Sequence, residues 1–193
     1  MDRGDEQPDI CFSSLIHIFF TELRREKEDD GEPHLRLDES HRLNEVSRSR
    51  MPDLVAYVDG GSHGNPGPSG IGVLIHNPDG DTIRIAKWIG HQDNNVAEYL
   101  ALLEALQHAI TVKAKALRVF SDSEIVVKQM NGQYACRSPR LYSLNWICRK
   151  LARSLEFSIA HIRRDENQAA NALANQAVRT RAKNAGAELL RAT

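Results

Sequence analysis

Three acids sit where an apolar chain gives them little solvation: Asp59, Glu98 and Asp122. Asp59 follows Leu54–Val58, a short run of strand-forming residues, and precedes Gly60 and Gly61. A carboxylate at the end of a buried strand is costly to desolvate unless something positive meets it. An aspartate that merely starts a turn has the same appearance. Glu98 is flanked by Val96, Ala97, Tyr99, Leu100 and Ala101. An acid near a helix start is favoured by the helix dipole, but that apolar company makes Glu98 a candidate buried ligand. Asp122 closes Ala116–Phe120 within Ser121-Asp122-Ser123, where a helix cap is the plainer reading. Three carboxylates in one cleft repel strongly unless cations bind. All-oxygen donors suit Mg²⁺ or Mn²⁺. Two such ions can hold a phosphodiester, one activating water and one stabilising the leaving oxygen.

The elements that must position these acids have distinct signatures. Leu54–Val58 predicts a buried central strand. Gly60–Gly72, GGSHGNPGPSGIG, predicts a loop, too rich in Gly and Pro for regular structure, whose backbone N–H groups approach a ligand. Gly60 and Gly61 let the chain turn sharply away from Asp59. Ile71–His76 and Thr82–Ile89 predict two strands around a hairpin turn at Asn77–Asp81. A helix starts within His91–Asn95, capped by Asp93 or an asparagine. It runs to about Val112, with Val96, Tyr99, Leu103, Leu106 and Ile110 at helical spacing. A fourth strand at Ala116–Phe120 and helices at Ser123–Met130 and Arg140–Ser154 follow. Then come a fifth strand at Phe157–Ile162 and a last helix over Gln168–Arg181, started by Asp165 or Asn167 and packing Ala170, Leu173, Ala174 and Ala177 inward. The order βββαβααβα implies an α/β domain with a five-stranded mixed sheet flanked by helices. Parallel pairing of strands one and four sets Asp59 beside Asp122, with Glu98 reaching in from the crossover helix.

The chain has 193 residues, enough for one domain and an appendage. Its cysteines are Cys11, Cys136 and Cys148, odd in number and without a C-x-x-C pair. That argues against a disulfide framework or zinc site and for a reducing compartment, so a cytoplasmic location is expected. Residues 1–50 carry 8 Lys+Arg against 13 Asp+Glu, and residues 51–193 carry 17 against 13. The body is therefore mildly basic, as suits a polyanionic partner. Ile10–Phe20 is too short to span a bilayer, and the acids before it do not fit a secretory signal. Residues 1–50 read as a disordered extension or an over-long start before Met51, with a short interaction helix at Phe19–Glu28 as the other reading. The domain is expected over residues 51–182, with a frayed tail over 183–193.

Four segments carry a family likeness: YVDGGSHGNPGPSGIG, NNVAEYLALLEAL, VFSDSEIVVKQMNGQY and HIRRDENQAANALANQA. In order and spacing, across residues 53–178, they resemble the type 1 ribonuclease H family. The resemblance implies a ribonuclease H-like fold. It also implies an endoribonuclease that hydrolyses the RNA strand of RNA–DNA hybrids with two Mg²⁺ ions, or Mn²⁺, leaving 5′-phosphate products. A monomer acting on the hybrid away from membranes is expected. By position, Asp59, Glu98 and Asp122 match the family's first three acids. Asn171 stands where the family usually has a fourth, an Asp that helps hold the water-activating metal. An amide still offers a carbonyl oxygen but no charge. His161, ten residues earlier, matches a mobile histidine that assists product release in some members, and reads equally as a strand-end histidine.

The same resemblance assigns a substrate face. Backbone groups of Gly60, Gly61, Ser62 and Gly64, with Asn94 and Glu124, match positions that contact 2′-hydroxyls, the group that separates RNA from DNA. Asn95 lies beside Asn94 in the same segment, and Asn65 is retained from a phosphate pocket for the DNA strand. His91 and Asp93 stand where Arg and Thr occur in that pocket. The long basic protrusion of some members is absent, with only Arg137, Arg140, Arg149, Lys150 and Arg153 in the region. Affinity for hybrids is therefore expected to be modest and salt-sensitive. Two readings compete with hybrid cleavage: a hybrid- or dsRNA-binding module that lost turnover through Asn171, and a different nuclease of the same superfold.

Overall fold

The structure, a computed structural model, describes residues 52–191, with side chains as far as Arg181. The expectations for residues 1–50 lie outside the described residues. The order is β1 (Asp53–Ser62), β2 (Gly67–His76), β3 (Thr82–Gln92), α1 (Asn94–Thr111), β4 (Ala116–Ser121), α2 (Glu124–Met130), α3 (Pro139–Ala152), β5 (Glu156–His161) and α4 (Gln168–Arg191). The five strands form one sheet in the order β3-β2-β1-β4-β5. β1 runs antiparallel to β2 and parallel to β4, and β5 is parallel to β4. The expected α/β mixed sheet is thus present, with its centre at β1.

The Gly-rich stretch does not form the long loop expected of it. β1 continues through Gly60 and Gly61 to Ser62, β2 begins at Gly67, and Gly61 pairs with Gly70 and Ser62 with Ser69. The glycines serve close packing. A Cβ on Gly72 would lie 2.0 Å from the Ala170 carbonyl oxygen and 2.6 Å from the Ala174 nitrogen of α4. A Cβ on Gly60 would lie 2.1 Å from the Ala97 carbonyl carbon and 2.2 Å from the Glu98 nitrogen of α1. Strand residues alternate faces, so α4 presses on the sheet face that holds Gly72 and α1 on the face that holds Gly60. Asp59 is opposite Gly72 in the register and therefore looks toward α4.

The core lies between sheet and helices. Leu54, Ala56 and Val58 of β1, Val73 and Ile75 of β2, and Ala97, Leu102, Ala105 and Leu106 of α1 are all buried. A buried polar node ties three helices together. Tyr99 of α1 donates its hydroxyl hydrogen to Gln129 Oε1 of α2 at 2.7 Å and accepts from Asn145 Nδ2 of α3 at 2.9 Å. The last helix continues to Arg191 instead of ending at Arg181. Residues 182–191, AKNAGAELLR, are mostly strong helix formers, and one Gly costs only about 1 kcal/mol, too little to end the helix. Ala170, Ala174 and Ala177 are buried as expected, whereas Leu173 is only half-buried.

Candidate active site

Parallel pairing sets the first two acids side by side. Val58 of β1 is in register with Ser121, the last residue of β4, so Asp122 leaves the end of β4 beside Asp59, which lies not at the end of β1 as expected but within it, because β1 runs on to Ser62 paired with β2. Glu98 arrives from α1, past its first turn, so the helix dipole does not account for it. The bare backbone of Gly60 lets α1 abut β1, and the Gly60 N–H donates to Glu98 Oε2 at 3.1 Å. Asp59 and Glu98 are buried, at 4% and 8% exposure, and Asp122 is partly buried.

The crowding is electrostatically uncomfortable. Burial, reinforced by the Asp122 charge, lifts the Asp59 carboxyl from 3.8 to about 6. Burial and then the Asp59 charge push Glu98 well above the usual carboxylate range, against the Gly60 hydrogen bond that lowers it. The Arg164 guanidinium, from the β5–α4 connection, eases both acids through its charge.

Helix α4 closes the site with amides. Asn167, 1% exposed, precedes its first residue. Its Nδ2 donates to the Val58 carbonyl at 2.9 Å and to Asp122 Oδ1 at 2.7 Å, clamping the end of β4 to the middle of β1, while its Oδ1 is buried without a hydrogen-bond partner. Asn171 donates its Nδ2 to Asp59 Oδ2 at 3.4 Å, and its Oδ1 accepts from Asn175 Nδ2 at 2.9 Å. Asn175 Oδ1 in turn lies 3.1 Å from His63 Nε2. Asn167, Asn175 and Arg164 were not among the residues expected at the site. A signal for the amides exists in the sequence: Asn167, Asn171 and Asn175 recur every four residues, one stripe on a helix.

The remaining expected residues ring this centre. His161, exposed, ends β5 in register with Ser121. Glu124 begins α2, exposed, and its carboxylate is held low by the Lys128 ammonium. Asn65 accepts from the Asn94 N–H at 3.1 Å, joining the β1–β2 turn to the start of α1. Asn95 is half-buried beside it. Ser62 donates its hydroxyl hydrogen to the Gln92 carbonyl at 2.9 Å, and Gly64 takes a φ of +102° in that turn. Asp93 precedes α1 but makes no side-chain cap, because its carboxylate accepts from Arg140 of α3.

Among the described residues no three His, Cys, Asp or Glu side chains form a ready-made metal cage. The donor chemistry nevertheless fits a hard cation: carboxylate oxygens under mutual repulsion, with Glu98 tied by one oxygen to Gly60.

Comparison with known proteins falls on this same region. A family model described as "Reverse transcriptase-like" matches residues 57–177. The chain is 38% identical over 135 residues to the Ribonuclease HI of Halobacterium salinarum, covering 69% of this chain and 68% of that protein. It is 36% identical over 138 residues to the "Bifunctional protein Rv2228c" of Mycobacterium tuberculosis, covering 70% of this chain but only 38% of that protein. The match thus spans less than half of the mycobacterial relative's length. The crystal structure of RNase H1 from the halophilic archaeon superposes with a TM-score of 0.63 at 35% identity, covering 66% of this chain and 98% of the other. That of LC11-RNase H1 in complex with RNA/DNA hybrid superposes with a TM-score of 0.62 at 35% identity and the same coverage.

Proposed function

Because the chain belongs to the ribonuclease H-like family, we propose that it hydrolyses the RNA strand of RNA–DNA hybrids at the site formed by Asp59, Glu98 and Asp122. The observation that carries this reading is the grouping of Asp59 on β1 and Asp122 just past β4 with the buried Glu98, where burial and neighbouring negative charge force the Asp59 and Glu98 carboxyls upward. Such a set is poorly stable alone and suited to divalent cations. Bound Mg²⁺ or Mn²⁺, two ions in this reading, supplies charge neutralisation, an activated water and stabilisation of the leaving oxygen, giving 5′-phosphate products.

The chain's own residues hold and orient. Asp59, Glu98 and Asp122 would hold the ions. Asn167 fixes Asp122 to β1 at the Val58 carbonyl, and Gly60 fixes Glu98. The backbone of Gly60, Gly61, Ser62 and Gly64, with Asn94, Asn95 and Glu124, lies on the adjoining strand end, turn and helix starts, where RNA 2′-hydroxyls would be read. Asn65, bonded to the Asn94 N–H, steadies that face. In this reading His161, at the exposed end of β5, assists product release.

One observation favours a second reading, a hybrid- or dsRNA-binding module without turnover. Asn171 offers Asp59 its amide nitrogen, and its oxygen is engaged by Asn175. Incubation of the full chain with labelled hybrid and Mg²⁺ or Mn²⁺ separates the two. Cleavage that disappears in Asp59→Asn supports the nuclease. Binding of the hybrid without cleavage in either metal overturns it.

A further inference from the structure

Residues 125–155 contain Lys128, Arg137, Arg140, Arg149, Lys150 and Arg153 and no Asp or Glu, in a chain whose net charge is -1. This is also where the exposed rings gather. Among the described residues the exposed large hydrophobic side chains are Val112, Ile125, Tyr134, Tyr142 and Trp146, and the three aromatic ones all fall in this stretch. Tyr142 is 61% and Trp146 49% exposed.

The helical period sorts α3 into two faces. Leu141, Leu144, Asn145, Cys148, Leu151 and Ala152 are buried against the body. Tyr142, Trp146, Arg149, Lys150 and Arg153, the residue just past the helix end, are exposed, at offsets of four, seven, eight and eleven residues from Tyr142, one outward row. At 1.5 Å per residue the row is about 16 Å long. It borders a groove of ≈ 410 Å³ lined by Tyr142, Asn145, Trp146, Arg149, Lys150 and Arg153. The Lys150 ammonium stands 5.1 Å from the centre of the Trp146 ring, and Arg149 donates to the Gln129 carbonyl, so cations and ring are held together.

We propose that this outward row of α3 binds an unpaired nucleic-acid strand. The cations meet the phosphates, and the flat faces of Trp146 and Tyr142 stack on bases. Charge complementarity selects a polyanion over an apolar partner or a second copy of this mildly basic body. The rings select single strands, because in a duplex the base faces are already stacked on one another. Stacking is tolerant of sequence, so the site takes DNA or RNA without base preference. None of the residues lining it is one of the three carboxylates, so the proposal stands whether or not the nuclease reading does. A strand bound here would be the unpaired continuation of a hybrid, not its duplex part.

The test reads binding alone. Full chain is titrated into labelled dT and rU oligonucleotides and into blunt duplex DNA, without divalent metal, by fluorescence anisotropy at several salt concentrations. Both single strands should bind more tightly than the duplex, with quenching of Trp fluorescence. Trp146→Ala combined with Tyr142→Ala should weaken single-strand binding about tenfold or more, as loss of base stacking does. Trp146→Phe should retain it within about twofold. Arg153→Ala should flatten the salt dependence by about one counterion. The substituted side chains are exposed, so folding should survive, and an unchanged circular dichroism spectrum checks that. Equal affinity of wild type and the double variant overturns the proposal. So does a preference for duplex, or concentration-dependent dimerisation that the double variant abolishes.

Discussion

Asp59 should make the metal-free domain less stable as pH rises, and Asp59→Asn should remove that dependence. The carboxyl rises from 3.8 to about 6 through burial and the neighbouring Asp122 charge. Between those values the native state keeps a proton that the unfolded chain has released. Stability falls with rising pH wherever the native state binds more protons. The loss therefore begins near pH 4, grows to about pH 6 and is constant above. The gap is worth about 3 kcal/mol, or about 10 °C of melting temperature for a domain of this size. Glu98, raised by burial and by Asp59, acts in the same direction. Asparagine keeps the shape and loses the charge. In EDTA at pH 8 the variant should melt above wild type by up to that amount, and at pH 4 the difference should nearly vanish. Adding Mg²⁺ at pH 8 should raise wild type more than the variant, since ligand binding stabilises the state that binds it. Melting followed by circular dichroism at both pH values is sufficient. A difference of the same size at pH 4 and pH 8, or a wild type more stable than the variant at pH 8, would refute the reasoning.

Asn171→Asp places a fourth carboxylate where an amide now donates to Asp59. Metal-free stability at pH 8 should fall by about 1–2 kcal/mol, while the Mg²⁺ concentration for half-maximal cleavage should drop; coincident Mg²⁺ titrations would mean that position 171 does not ligate the metal. Asn167→Ala should cost about 2–3 kcal/mol in denaturant unfolding, because the buried Val58 carbonyl loses its side-chain donor and Asp122 its anchor. A cost below about 0.5 kcal/mol would show that this amide clamps nothing.

The element order and the neighbourhood of Asp59, Asp122 and Glu98 were legible because they depend on strand periodicity and on the pairing of connected parallel strands. The extent of β1 and β2 was not. GGSHGNPGPSGIG reads as loop because Gly and Pro usually break regular structure. Here Gly60 and Gly72 are glycine because helix backbone occupies the space that a Cβ would need, a tertiary reason that local sequence does not display. Asp93 reads as a helix cap by its position, and is diverted by Arg140, 47 residues away. Asn167 reads as a helix start, which it is, but its side chain reaches across to β1 and β4. The family likeness, by contrast, pointed to Asn171 through its departure from the usual acid.

The division of labour around the acids explains why α4 is built from amides. All three carboxylates come from β1, β4 and α1, while α4 contributes Asn167, Asn171 and Asn175. The start of α4 also turns its positive end toward them, Asn167 preceding the helix and touching Asp122. A helix terminus offsets about 0.3–1 kcal/mol of nearby negative charge and up to about 2 in a partly buried setting. Against roughly 3 kcal/mol for Asp59 alone, with Glu98 strained in the same sense, that is too little. Arg164 acts beside the helix terminus, and Asp59 still titrates near 6 with the guanidinium in place. A fourth acid on α4 would therefore deepen a deficit the fold does not already cover. Neutral amides spare the metal-free domain that further cost at the expense of attraction for a cation. The Mg²⁺ titration of Asn171→Asp and the pH dependence of Asp59→Asn read the two sides of that exchange.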